Sequence, residues 1–239
     1  MNRDWVISDI HGCLNTLRSL IETLVIPTRQ DTLYFVGDYI DRGPDSKGVM
    51  DYVMDLQAQG FSVVALKGNH EDFMVKAFEE EKQLKSFLFF KRASVTKQLW
   101  MKHGGREALK SFKVNTITEI PEVYIDWINQ RPLYHELDKF LIVHAGLNFE
   151  LDDPLEDEHA MLWVRDYHIE PAKINHRKLI HGHVPVSLDF IDLTINSGNY
   201  SFIDIDNGCY MNNKSGYGNL IALELNTMEL KVQPNVDMQ

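Results

Sequence analysis

The chain has 239 residues, 44% of them hydrophobic and 25% charged, with a formal net charge of -11. That balance is ordinary for a globular protein long enough to bury a core. The acidic excess argues against a broad nucleic-acid-binding surface, and no run approaches the ~20 apolar residues of a membrane span.

Two cysteines, Cys13 and Cys209, cannot build a disulfide framework. The opening Met1-Asn2-Arg3-Asp4 leads directly into strand-like sequence with no apolar signal core, so a cytoplasmic location is expected. Residues 4 to 8 read as a buried strand. Leu14, Leu17, Ile21 and Leu24 recur at helical spacing until Pro27. A second strand is predicted at 32–36. Val49, Tyr52, Val53 and Leu56 mark a second helix ending near Gly60, and 61–66 is a third strand. This βαβαβ pattern predicts neighbouring strands joined by right-handed crossovers.

Residues 71–131 carry helical patterning, interrupted at Gly104-Gly105 and Pro121. The patch Phe87-Leu88-Phe89-Phe90, followed by Lys91-Arg92, reads as a helix packed over the sheet, being too short to span a membrane. Strand-like runs follow at 139–143, 178–182, 189–196 and 200–205, with a hairpin over 219–232 around Asn226-Thr227. No linker or repeat divides the chain, which predicts a single α/β domain over 1–239 with two sheets.

Five of the predicted strands end in glycine-containing turns that carry Asp, Asn or His. They are Asp9-Ile10-His11-Gly12, Gly37-Asp38-Tyr39-Ile40-Asp41-Arg42-Gly43, Gly68-Asn69-His70-Glu71, His144-Ala145-Gly146 and His181-Gly182-His183. Asp9, Asp38 and Asn69 are separated by about one βαβ period of ~30 residues, so they return to one edge of the sheet, where α/β folds gather ligands. Any one of them alone is more economically a helix cap, an Asx turn or a core histidine. Together they form a set of carboxylate, imidazole and amide oxygen donors suited to divalent manganese, zinc or iron. Asp38, the central member, can bridge two ions, one with Asp9 and His11, the other with Asn69, His144 and His183.

The quoted motifs, read as DIHG, GDYIDRG, GNHE, HAGL and HGHVP with IDNGC and GNL near the end, resemble the phosphoprotein phosphatase branch of the calcineurin-like metallophosphoesterases, in its compact bacterial serine/threonine type. The resemblance implies a four-layer α/β fold, two stacked mixed β-sheets flanked by helices, with two divalent ions, manganese first among them. It also implies phosphate ester hydrolysis in which a metal-bridging hydroxide attacks phosphorus in line. His70 is then the expected general acid, with Asp41 orienting it and keeping it protonated. Arg42 is expected to fork onto phosphate oxygens, Asn69 to face substrate as well as metal, and Arg165 resembles a second phosphate-gripping arginine.

His181, two positions before His183 on an assumed strand, is expected to support a ligand or fill the core. Glu71 either opens the next helix or acts on substrate, and Tyr210 and Tyr217 flank a polar loop expected near the cleft. The favoured substrates are phosphorylated proteins or small phosphate monoesters. The nearest rival is a symmetrical bis(5'-nucleosyl)-tetraphosphatase, a group that tends to lack an aspartate at the position of Asp41. A non-catalytic phospho-binding scaffold would lack a ligand or the acid, and none is missing. No nucleic-acid or membrane partner is expected.

Overall fold

The computed structural model describes residues 2–86 and 94–238; the patch at 87–90 with Lys91-Arg92 lies outside the described residues. Among the described residues the strands form two sheets. The first is ordered β3-β2-β1-β8-β9, with β1 (Asp4–Ile7), β2 (Thr32–Phe35) and β3 (Ser62–Ala65) parallel, and β8 (Asn219–Glu224) and β9 (Leu230–Pro234) antiparallel. The second is ordered β4-β5-β6-β7, with β5 (Phe140–Val143), β6 (Lys178–His181) and β7 (Phe202–Asp204) parallel and β4 (Tyr134–Glu136) antiparallel at the edge.

Side chains alternate across each strand, so register decides which core each one enters. Val6, Tyr34, Val64 and Leu223 pair across the first sheet, and Ile142, Ile180 and Ile203 across the second; these two rows belong to one apolar core between the sheets. The opposite rows face outward. Ile7, Phe35, Ala65 and Ala222 enter the core shared with the helices, while Leu141 and Leu179 meet Leu147, Phe149, Met161 and Ile174 on the far side. The expected stack of two mixed sheets flanked by helices is the observed architecture.

The helices over the first sheet are α1 (Leu14–Ser19), α2 (Ser46–Ala58), α3 (Asn69–Ser86), α4 (Val95–Trp100), α5 (Arg106–Phe112) and α6 (Glu122–Asn129). Over the second sheet lies α7 (Glu158–Trp163), and α8 (Leu188–Asn196) packs beside its edge strand β7. A wider-pitched turn continues α1 through Val25, and α2 starts where the Asp45 side chain accepts the Gly48 N–H. At Gly104 the backbone takes a φ of 116°, a conformation that L side chains avoid, and a β-carbon there would lie 2.4 Å from the Arg42 nitrogen. The expected break between α4 and α5 therefore has a purpose: it seats this bend directly on the Asp41-Arg42 turn.

The strand expected at 189–196 is instead α8. Ser187 caps it by accepting the Phe190 N–H, and Leu188, Ile191 and Ile195 fall on one face that packs into the inter-sheet core. Its content of isoleucine and threonine favours strand locally, but the cap and the 3-4 spacing prevail. The short half-exposed β4 carried no alternation to find. The predicted hairpin is present, its turn held by the Glu224 carboxylate, which accepts from Asn226 and Thr227. Cys13 and Cys209 are both buried, as a small apolar side chain would be. No helix among the described residues is long and apolar enough to cross a membrane.

Candidate metal centre

The turns after β1 and β2 are stitched together by backbone hydrogen bonds. The N–H groups of Ile10 and His11 both donate to the Asp38 carbonyl at 3.0 and 2.8 Å, and Gly12 N–H donates to Tyr39. His11, Asp38, Asp41, Arg42 and His183 all hold left-handed backbone, with φ between 49° and 73°. Such conformations cost a non-glycine residue on the order of 1 kcal/mol each and persist where the surroundings over-determine them. Glu71 supplies much of that constraint. Its fully buried carboxylate accepts the N–H groups of Gly68, Asp38, Tyr39 and Ile40 at 2.9 to 3.2 Å. Neither expectation for Glu71, helix opener or substrate contact, described this role. Gly68 allows it, since a β-carbon there would lie 2.2 Å from Asp38 Oδ1.

The ligand atoms converge on Asp38. One carboxylate oxygen lies 3.5 Å from His11 Nε2 and the other 3.5 Å from His144 Nε2. Asn69 Oδ1 stands 2.9 Å from His144 Nε2 and 3.0 Å from His183 Nδ1. Two groups of donor atoms result, His11-Asp38-His70 and Asp38-His144-His183, each gathered within 4.8 Å and sharing Asp38. His11 and His144 direct Nδ1 at the carbonyls of Ile40 and Val36, both at 3.0 Å, which leaves Nε2 with a lone pair for a cation. Asp9 falls outside both groups. Its Oδ2 accepts the His183 N–H, tying the first turn to the last.

Electrostatics argue for a cation here. Burial lowers the pKa of His11 and His144, and that of His183 to about 3, so these imidazoles are neutral at pH 7 and ready to ligate. Burial, with the charges of Asp206 and Asp38, pushes the Asp9 carboxyl well up, and burial raises Asp206 to about 7. Among the described residues, Asp9 Oδ1 and Asp206 Oδ2 are buried with no hydrogen-bond partner. Unpaired buried oxygens are costly, and divalent ions among carboxylate, imidazole and amide donors would remove that cost. The residues present therefore fit a pair of metal ions. Asp206 had been noticed only as part of a terminal motif.

Beside these groups, His70 Nδ1 lies 2.7 Å from Asp41 Oδ2. That same oxygen accepts the indole N–H of Trp100 at 3.0 Å, and Asp41 is fully buried. Burial pulls the His70 imidazole down, but the Asp38 charge and the Asp41 hydrogen bond outweigh it and leave its pKa raised. Arg42 sets its guanidinium against Nε2 of both His11 and His70, at 2.9 and 3.1 Å, and lies 4.2 Å over the Tyr210 ring. Tyr210 thus does face the cleft. Trp100 could not be found from spacing, because it lies 59 positions from the carboxylate it holds.

Two expected residues sit elsewhere. Arg165 is exposed on the rim of a cavity and, among the described residues, has no hydrogen bond or ion pair to the converging groups, although its charge is felt at His183. His181 ends β6, while His183 lies beyond the strand in a left-handed turn, so the two do not face one side as two residues of a strand would. The His181 ring is buried against Tyr167 and Phe202.

Fold and site together define a phosphoesterase-type centre. The family model described as calcineurin-like phosphoesterase matches residues 3–214, and the chain belongs to that family. Among curated relatives, the bis(5'-nucleosyl)-tetraphosphatase PrpE [asymmetrical] of Bacillus thuringiensis is 34% identical over 152 residues, covering 59% of this chain and 56% of that protein. The serine/threonine-protein phosphatase 1 of Salmonella typhimurium is 35% identical over 101 residues, covering 42% and 38%. The chain thus spans about half, or less, of the length of the curated relatives it matches. A Saccharomyces cerevisiae protein serine/threonine phosphatase with similarity to human phosphatase PP5 superposes with a TM-score of 0.64 over 98% of this chain and 80% of its own, at 14% identity. That last likeness concerns the fold alone.

Proposed function

We propose that this chain is a metal-dependent phosphoester hydrolase in which His70 is the general acid. The observation that carries the reading is the buried Asp41–His70 contact of 2.7 Å, aimed by Trp100. Asp9, His11 and Asp38 would hold one ion, and Asp38, Asn69, His144 and His183 the other. Manganese, which the family resemblance puts first, iron and zinc are the candidate ions. When bound, the ions supply neutralisation of phosphoryl charge and a water of low pKa.

The chain's own groups do the rest. Arg42, set against the Nε2 atoms of His11 and His70, finds strong acceptors in an entering phosphate dianion and can fork onto two of its oxygens. Arg165 at the rim adds a second positive charge for substrate, and Asn69 orients from the floor. Asp41 accepts from Nδ1–H of His70 and keeps the imidazolium oriented, so Nε2–H can pass to the leaving oxygen.

A proton donor held this firmly is of most use to a poor leaving group such as a serine or threonine alkoxide, which favours phosphoprotein or small monoester substrates. A second reading, hydrolysis of dinucleoside tetraphosphates, is favoured by the Bacillus relative. Turnover of a phosphoserine peptide against diadenosine tetraphosphate, with manganese supplied, separates the two. At least tenfold preference for the peptide is expected on the first reading, and the reverse preference overturns it.

A further inference from the structure

A second cavity opens next to the metal-binding groups. Its volume is about 480 Å³, in the range of small-molecule sites, and Arg165 and Val184 line it, the latter adjacent to His183. Its lining runs from His181 and Asp204, at the carboxyl ends of β6 and β7, back along β7 to Phe202 and Tyr200. Phe190, Tyr200 and Phe202 form an aromatic corner with ring centroids 5.4 to 6.4 Å apart. Below it are His181 and Asp204, register partners on neighbouring parallel strands that present their side chains on one face.

Asp204 is the informative member. Its side chain is 4% exposed, and no basic group reaches it within ion-pair distance among the described residues. One oxygen accepts the Asp206 N–H at 3.1 Å. A buried carboxyl lining a cavity with aromatic walls is an expensive feature, and none of the catalytic roles above uses it. Flat rings to stack on, with a hydrogen-bonding group at the base, are what a heterocycle needs; base–aromatic stacking tolerates any base, and the base edge supplies donors and acceptors to a buried polar group.

We infer that this cavity is a nucleobase pocket, which seats the base of a nucleotide substrate while its phosphates reach past Arg165 to the metal-binding groups. This rests on the dinucleotide reading of the site and names the part of the substrate that the rim selects. The pocket reads the base, and Arg42 and His70 act on the phosphate.

The test is calorimetric titration of the metal-loaded full chain with adenosine, with ribose, and with N-acetylphenylalaninamide, none of which can be hydrolysed at phosphorus. Adenosine should bind at least about tenfold more tightly than either control, as expected from stacking. Tyr200→Ala should erase most of that margin and Tyr200→Phe restore it. If Tyr200→Ala fails to fold, Phe190→Leu removes a different ring at similar apolar volume and serves the same comparison. Equal affinity for adenosine and ribose overturns the inference, and so does equal affinity for the phenylalanine amide, which would mark an apolar side-chain pocket. Adenosine binding without hydrolysis of diadenosine tetraphosphate sinks the dinucleotide reading and leaves the pocket standing. Hydrolysis without adenosine binding does the opposite.

Discussion

The cluster around Asp38 and the aromatic pocket behind Arg165 adjoin through His183 and Val184, yet they are built by opposite means. In the cluster every predicted ligand is buried, and the turns that carry them are locked by main-chain hydrogen bonds and by the four N–H groups converging on Glu71. In the pocket the walls are partly exposed side chains meeting ring to ring, and Arg165 is exposed. The difference separates two tasks. On the proposed reading, chemistry that depends on sub-ångström placement would be given to backbone, and the choice of substrate to side chains that can vary without disturbing it.

The contrast breaks first at Asp38. Asp38→Ala should reduce turnover to background and strip metal from both groups, measured as metal content of the purified protein. Retention of two ions per chain would remove Asp38 as the shared ligand. His70→Asn should keep both ions but lower turnover of a phosphoserine peptide by about 10²- to 10⁴-fold. The loss should shrink with p-nitrophenyl phosphate, whose leaving group needs little protonation; an equal loss on both substrates counts against an acid role. Because the His70 pKa is raised, the acid is fully protonated at low pH and activity should fall as pH climbs through that raised value. Asp41→Asn should move this alkaline limb to lower pH.

The rim should respond differently. Arg165→Ala is expected to raise KM by roughly tenfold with little change in kcat, the size of one charge-assisted contact; a collapse of kcat instead would place Arg165 inside the chemistry. The smallest effect lies far from both regions. Asp31 accepts from the Arg3 N–H and guanidinium and from Thr28. Burial pushes its carboxyl up, but those hydrogen bonds pull harder and hold its pKa well below the usual range. A carboxylate with a lower pKa folded than unfolded stabilises the fold above its unfolded pKa, and that contribution is lost as pH falls toward the folded value. Asp31→Asn should cost about 1 to 2 kcal/mol at pH 7 by urea unfolding, with the gap to wild type narrowing in acid. A gap independent of pH would deny the ion pair its part.

The candidate ligands were legible because their chemistry is tied to short turns at strand ends, and a strand end is visible from local pattern. The same holds for Asp41 and Arg42, which lie within the turn after β2. Glu71 was ambiguous because a glutamate opening a helix looks alike whether it faces solvent or collects four N–H groups. Residues 189–196 were misread because isoleucine and threonine favour a strand until Ser187 caps a helix and the inter-sheet core receives its face.

Local sequence by itself determined which donor atoms the turns carry and the order in which strands deliver them, since periodicity and turn chemistry act over a few residues. Only tertiary structure decided that Trp100 would hold Asp41, that Asp204 would pair in register with His181 across the sheet, and that Arg165 would stand at the rim rather than in the cluster. Those outcomes depend on contacts between segments tens of residues apart, whose partners are chosen by packing of the sheets and helices and not by any neighbour in the chain.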